Sequence, residues 1–70
     1  MKLTVNGKDC ESAAADLLAL WREQTAALGL QEPRGFAIAL NGRVVKRADW
    51  PATPLAAQDR VEIIRAFAGG

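Results

Sequence analysis

The residues best suited to chemistry are the last three, Ala68-Gly69-Gly70, because glycine lacks the side chain that would block entry into a narrow active site. They follow directly on residues 61–67, an apolar run typical of a core strand. Such a strand would anchor an arm about 10 Å long, at ~3.4 Å per residue, with a carboxylate at its tip. The arm is therefore the first candidate for a functional site.

Composition excludes several kinds of catalyst. The 70 residues predict one small domain with a thin core, and a net charge of +1 with no basic block gives nucleic-acid binding no support. With no histidine and a single cysteine, the chain cannot form a Ser-His-Asp triad, a Cys-His pair, a histidine-liganded metal site or a zinc cluster. One cysteine also excludes an intramolecular disulfide and fits a reducing compartment. With no membrane-spanning run or signal peptide in the sequence, we expect a cytoplasmic protein.

Two asparagine–glycine pairs, Asn6-Gly7 and Asn41-Gly42, predict tight β-hairpins because both turn positions favour positive φ. The first follows a strand at residues 2–6 and precedes a short returning strand at residues 8–11. The second joins residues 36–40, where large and small apolar side chains alternate, to residues 43–46. A last strand is predicted to open at Asp59 and Arg60.

One amphipathic helix is predicted over residues 13–28, which hold many helix formers and no glycine or proline. Ser12 is the expected N-cap, and Gly29 is the expected left-handed residue after the helix, with Leu30 folding back on it. The residues expected on the buried side are three or four apart: Leu17, Leu18, Trp21, Thr25 and Leu28.

The segment from 47 to 58 contains Pro51 and Pro54 and cannot be a regular strand, so Trp50 and Leu55 are expected to pin it to the core. The resulting order, β-β-α-β-β-irregular-β, predicts an α+β fold. One helix can cover only one face of such a sheet, and the last strand returns toward the first. This is the β-grasp arrangement, with a mixed sheet.

Strand alternation also predicts what each face of the sheet carries. The side chains expected toward the helix are Phe36, Ile38, Leu40, Val61 and Ile63. The other face would carry Ala37, Ala39, Ile64 and Ala66, apolar residues where solvent favours polar ones. We hypothesise that this patch, continuous with the tail, docks protein partners; ordinary scattered surface apolarity is the alternative.

Three further features have two interpretations each. Phe67 closes the core or braces the tail against a partner. Cys10 is a small packing residue or a persulfide relay. The basic side chains of Arg43, Lys46 and Arg47 steer an acidic partner or simply protect a solvated hairpin edge.

The whole chain resembles the ThiS family, the ubiquitin-like sulfur carriers of thiamine thiazole synthesis. The resemblance rests on the order of elements and on three sequence features: Asn6-Gly7, residues 40–45 (Leu-Asn-Gly-Arg-Val-Val), and residues 59–64 (Asp-Arg-Val-Glu-Ile-Ile) followed by the terminal Ala68-Gly69-Gly70. The glycine pair is shared by all ubiquitin-like carriers, while the second hairpin in so short a chain favours ThiS over the longer molybdopterin carrier, MoaD. Gln58 departs from the family, where glycine commonly precedes the aspartate.

The resemblance implies a cosubstrate and not an enzyme: a single β-grasp domain over residues 1–70 with a flexible tail at 68–70. A ThiF-like, ubiquitin-activating-enzyme-like adenylyltransferase would adenylate Gly70 with ATP. Sulfur from a donor system such as a cysteine desulfurase would convert Gly70 to a thiocarboxylate, and a ThiG-like thiazole synthase would consume that sulfur. The chain itself would bind no cofactor or metal. The expected partner-binding residues are Ala37, Ala39, Ile64, Ala66, Phe67, Ala68 and Gly69.

Other functions remain open from the sequence. The carrier would equally suit molybdopterin synthesis, tRNA thiolation or cysteine synthesis, since the choice of pathway depends on partner surfaces. A ubiquitin-like modifier would use the same adenylation chemistry and form isopeptide bonds to lysines. A plain interaction module would have an inert tail.

Overall fold

The computed structural model describes residues 1–26, 29 and 35–65 of the chain. Within these ranges the strands are β1 Lys2–Val5, β2 Lys8–Glu11, β3 Phe36–Leu40, β4 Arg43–Val45 and β5 Arg60–Arg65. The helix α1 spans Leu17–Thr25, and a 3₁₀ helix spans Arg47–Ala52. The strand order β2-β1-β5-β3-β4 places the last strand at the centre of the sheet. The predicted α+β, β-grasp fold is confirmed.

Both asparagine–glycine hairpins are confirmed. Asn6 and Asn41 each have a φ of 51°, and the glycines that follow, Gly7 and Gly42, have φ values of 80° and 87°. A Cβ added at either glycine would meet no atom within 4 Å, so the requirement for glycine comes from the backbone angle and not from crowding. Each turn thus fixes the register of its two strands.

The centre of the sheet is β5, which pairs with a different strand on each side. It is parallel to β1 through Thr4↔Arg60 and Val5↔Val61. It is antiparallel to β3 along its full length, from Leu40↔Val61 to Phe36↔Arg65. The sheet is mixed, as the return of the last strand toward the first predicted.

The core lies between the sheet and α1, and it confirms the predicted faces. Ile38 and Val61 are buried, and Phe36, Leu40 and Ile63 pack against the core from the same face. The fully buried side chains of largest volume are Trp21, Trp50, Leu3, Leu17, Leu20, Ile38 and Val61.

The irregular segment before β5 is anchored in the way that the sequence predicts. The Trp50 side chain is fully buried, and its Nε1–H donates to the Val45 carbonyl at 2.9 Å, which ties the 3₁₀ helix to the end of β4. Leu55 is half-buried and packs against the core. No helix among the described residues is long and apolar enough to cross a membrane.

The prediction for the start of the helix is wrong. The N-cap is Asp16 and not Ser12, and the Asp16 carboxylate accepts from the Ala19 N–H at 2.9 Å. Residues 13–16 are not helical because their backbone pairs elsewhere: the Leu55 N–H donates to the Ala15 carbonyl at 3.0 Å, and Asp16 bridges to Pro54. A contact distant in sequence has overridden good helix propensity.

Ser12 stabilises this non-helical entry instead of capping the helix. Its hydroxyl accepts from the Ala14 N–H at 3.0 Å and donates to the Glu23 carboxylate at 2.6 Å. The buried face of α1 consists of Leu17, Leu20, Trp21 and Thr25, so the prediction omitted Leu20. Gly29 has a φ of 69°, as expected after a helix end, whereas Leu28 and Leu30 lie outside the described residues.

Gln58 occupies a position that favours glycine. The turn from Ala56 to Asp59 is closed by the Asp59 N–H donating to the Ala56 carbonyl at 3.2 Å, and Gln58 in its third position has a φ of 73°. That angle is typical of a type II turn, whose third residue is usually glycine. The Gln58 N–H also donates to the Lys2 carbonyl at 2.7 Å, which holds the strained residue against β1.

We therefore expect Gln58→Gly to stabilise the domain. A non-glycine residue in the left-handed region costs about 1–2 kcal/mol, and the greater freedom of glycine in the unfolded chain offsets part of that gain. The expected net increase in the free energy of unfolding is roughly 1 kcal/mol, or a rise of about 4–8 °C in Tm. Thermal denaturation followed by circular dichroism measures it.

The matched control is Ala57→Gly, one residue earlier, where φ is not positive. This variant gains the same flexibility in the unfolded chain without relieving strain, so it should lower Tm. If the Gln58→Gly variant were no more stable than wild type, the backbone at Gln58 would not be strained.

Candidate functional site

The strand β5 leads toward the candidate reactive residue, and it is described as far as Arg65. The sequence predicted that it would continue through residue 67 into the tail. The tail at residues 68–70, which the sequence predicts to be flexible, lies outside the described residues. The predicted site residues outside them are Ala66, Phe67, Ala68, Gly69 and Gly70. What the structure defines is the base from which they extend.

The start of β5 is held by the second hairpin turn. The Asn41 N–H donates to the Arg60 carbonyl at 2.7 Å, and the Asn41 Oδ1 accepts from the Arg60 N–H at 2.9 Å. The Asn41 Nδ2 also donates to the Asp59 carboxylate at 3.1 Å. One turn residue thus satisfies both backbone groups of the residue that opens β5.

The first hairpin turn holds β5 three residues further along. The Asn6 N–H donates to the Val61 carbonyl at 2.9 Å, and the Asn6 Oδ1 accepts from the Ile63 N–H at 2.8 Å. The sequence predicted the backbone role of both asparagines but not these side-chain bonds. The choice of asparagine over glycine at both positions was a signal for them, because glycine has no side-chain acceptor.

The last described residue of β5 is supported by aromatic side chains on the helix side of the sheet. The Arg65 guanidinium carbon lies 5.7 Å from the centre of the Phe36 ring, within the range of a cation–π interaction. Phe36 in turn meets the buried Trp21 edge to face, with 5.4 Å between ring centres and an angle of 74°. Arg65 is thereby linked to the core of the domain.

The opposite face of the sheet carries an apolar patch, which we define as Ala37, Ala39, Val44 and Ile64. Register places Ala37 opposite Ile64 and Ala39 opposite Val44, so all four point away from α1. The exposed fractions are 52% for Ile64 and 77% for Val44, high values for large apolar side chains. The structure therefore brings together Ala37, Ala39 and Ile64 as predicted, while their role in docking stays a prediction.

Sequence reasoning missed Val44 as a member of the apolar patch. The two-residue turn Asn41-Gly42 sets Leu40 opposite Arg43 and Ala39 opposite Val44, so the hairpin register alone could have located it. Val44 extends the patch from the centre of the sheet to its β4 edge.

Cys10 lies in a packing environment and not in an activating one. Its side chain is half-buried against the core, and its sulfur accepts from the Gln24 Nε2–H at 3.4 Å. The geometry favours the packing interpretation. In the described part of the chain, no group of three or more His, Cys, Asp or Glu side chains could hold a metal ion.

Comparison with known proteins links this geometry to one family. A model described as the ThiS family matches residues 3–70. A crystal structure of a thiamine biosynthesis protein (ThiS) from Geobacter metallireducens is 32% identical over 100% of both chains, with a TM-score of 0.72. An NMR solution structure of a thiamine biosynthesis protein from the same organism is also 32% identical; the alignment covers 100% of this chain and 88% of that one, with a TM-score of 0.66. No curated protein matches the chain significantly.

Proposed function

Because this chain belongs to the ThiS family, we propose that it is a sulfur carrier of thiamine biosynthesis and that Gly70 carries the sulfur. The observation that supports the proposal most is the extent of the family match, which runs through the glycine pair to residue 70. The proposal is also supported by the crystal structure of a thiamine biosynthesis protein, which has the same fold and is 32% identical over the full length of both chains.

The proposed chemistry begins with activation of the Gly70 carboxylate. A carboxylate is a poor electrophile, so a ThiF-like adenylyltransferase would join it to AMP from ATP and release pyrophosphate. A sulfur nucleophile delivered from a donor such as a cysteine desulfurase would attack the carbonyl carbon. With the sulfur delivered as a donor persulfide, the C–S bond forms as the bond to AMP breaks, which gives an acyl disulfide. A thiol reductant would then cleave the S–S bond by a two-electron reduction and leave the thiocarboxylate and the donor's free thiol. A ThiG-like thiazole synthase would then take the sulfur and regenerate the carboxylate.

The division of labour follows from the composition of the chain. A chain of 70 residues with no histidine and one half-buried cysteine is poorly equipped to activate a carboxylate or a sulfur nucleophile. In this proposal the chain is a protein cosubstrate that supplies reach and recognition. The partners supply ATP binding and the catalytic groups, and docking confines the reactive sulfur to their active sites.

The apolar patch is the proposed docking surface, together with Ala66, Phe67, Ala68 and Gly69 of the tail. Ile64 belongs to the same strand that leads into the tail, so a partner that covers Ile64 receives the tail at its active site. Ala37 lies opposite Ile64, and Ala39 lies between Val44 and the exposed Glu62, so one carboxylate borders the apolar patch. Burying such exposed apolar side chains would stabilise the complex by about 25 cal/mol for each Å² removed from water.

The intact mass of the chain tests the proposal directly. After incubation with a ThiF-like enzyme, ATP and a sulfur donor system, we expect one C-terminal oxygen to be replaced by sulfur. The change should require ATP, and it should be absent from a variant lacking Gly70 and from one with an added residue after Gly70.

Two other results would contradict the proposal. An unchanged mass, with an enzyme shown to be active on another carrier, would mean that this chain is not its substrate. Adducts of higher mass on protein lysines would instead indicate a ubiquitin-like modifier.

Ile64→Asp tests the docking surface. A carboxylate at the β5 end of the apolar patch would have to be desolvated in the complex. We therefore expect affinity for the activating enzyme and the thiazole synthase to fall about tenfold or more, that is by ~1.4 kcal/mol. Stability should change by only about 1 kcal/mol, because the residue is half exposed. Titration calorimetry measures the affinity and denaturation the stability.

Ala13→Asp is the matched control, since it adds the same charge at an exposed residue outside the sheet. It should leave both affinities unchanged. If the Ile64→Asp variant and wild type bound both partners with equal affinity, the apolar patch would not be a docking surface.

A further inference from the structure

The two edges of β5 are not held over the same length. On the β3 side, the pairing continues to Ile64 and Arg65, which lie opposite Ala37 and Phe36. On the β1 side, strand pairing ends at Val61, because the chain turns away at Asn6. Among the described residues, the end of β5 nearest the tail is therefore anchored on one side more than on the other.

The Asn6 side chain extends the shorter edge. Its Oδ1 accepts from the Ile63 N–H at 2.8 Å, in the place where a further residue of β1 would have supplied a carbonyl. The left-handed backbone of Asn6, with a φ of 51°, turns the main chain away while the side chain stays on β5. Ile63 therefore lies opposite Ile38 of β3 in register, while its own N–H points to the other edge and is bound by Asn6.

We propose that Asn6 is a positioning residue for the reactive tail. The inference rests on the proposed carrier function and concerns how that function is made efficient. Because of the Asn6–Ile63 bond, β5 is hydrogen-bonded on its β1 edge as far as Ile63. Beyond Ile63, the described part of β5 is paired only with β3. Without the bond, hydrogen bonding on the β1 edge ends at Val61, and a longer stretch of β5 is free to swing about its pairing with β3.

Such freedom would affect the reaction more than the docking. Three residues of the apolar patch lie on β3 and β4, and the fourth, Ile64, keeps its pairing with Ala37 of β3 when the Asn6 side chain is removed. The register of that face is therefore unchanged. Gly70 lies seven residues beyond Ile63, so loss of the bond at Ile63 lengthens the segment between the last doubly supported residue of β5 and the carboxylate. Since misplacement of a reacting group by about 1 Å can cost on the order of a hundredfold in rate, loosening at Ile63 should lower kcat and leave KM nearly unchanged.

Asn6→Gly removes the side chain and keeps the positive φ that the turn requires. Asn41→Gly is a matched control, because it makes the same change in the equivalent hairpin. It removes side-chain bonds to Asp59 and to Arg60 at the opposite end of β5. Asn6→Asp is the conservative variant, since its carboxylate can still accept from the Ile63 N–H and aspartate tolerates this backbone angle.

Two measurements on the full chain are needed. The first is amide hydrogen exchange at Ile63, which reports whether the bond has been lost. The second is ATP–pyrophosphate exchange by a ThiF-like enzyme at varied carrier concentration, which separates kcat from KM for adenylation. Denaturation of each variant records its stability.

We expect Asn6→Gly to raise the exchange rate of the Ile63 amide and to lower kcat about tenfold with KM within about twofold of wild type. Asn6→Asp should restore both. Asn41→Gly loses more side-chain bonds and should be at least as destabilised, yet its kcat should stay within about twofold of wild type.

The proposal would be overturned if Asn6→Gly exposed the Ile63 amide without lowering kcat, or if kcat followed stability equally in both glycine variants. A fall confined to KM would assign Asn6 to docking and would also overturn it. These results differ from failure of the carrier function itself, in which the wild-type chain supports no pyrophosphate exchange.

Discussion

Hydrogen bonding to both edges of β5 is the constraint on which the rest of this structure depends. The strand lies between β1 and β3, and each of these joins a hairpin partner, so all five strands are connected through it. Its buried residue Val61 lies in the core, and asparagines from two different turns bind its first residue, Arg60, and its fourth, Ile63. A chain this small buries only about 60% of its unfolded surface, so a single central strand that organises both halves of the sheet has a large effect on its stability.

The same strand gives the proposed function its geometry. One face of β5 contributes to the core, the other exposes Ile64, the proposed docking residue, and the chain continues from β5 to Gly70. Recognition and delivery would therefore share one strand, and the position of the carboxylate relative to the docking surface would depend on the tail and on how the end of β5 is held. The chemistry can be left to the partners because the carrier needs only to fold, dock and reach. A thiocarboxylate held in this way reacts where docking places it and not in bulk solvent.

The parts of the fold that depend on local residue types could be predicted from the sequence. The preference of Asn-Gly pairs for positive φ predicted both hairpins. The alternation of side chains along each strand predicted the two faces of the sheet, including the outward position of Ile64. The start of the helix could not be predicted, because residues 13–16 pair with a segment some forty residues away. The Asn6–Ile63 bond could not be predicted either, because it joins residues that are 57 positions apart in the sequence. Gln58 shows a third case: the family's usual glycine is absent, yet the backbone angle that glycine favours is kept.

If this chain donates sulfur for thiazole formation, isotope-labelled sulfur attached to Gly70 should be transferred to the thiazole. The chain would be prepared with a C-terminal thiocarboxylate carrying heavy-isotope sulfur, which bypasses activation, and mixed with a thiazole synthase and its other substrates. Mass spectrometry would follow both products. We expect the label to appear in the thiazole and the chain to be recovered with an ordinary carboxylate at Gly70. Label that stays on the chain, with a synthase shown to turn over another carrier, would contradict sulfur donation by this chain.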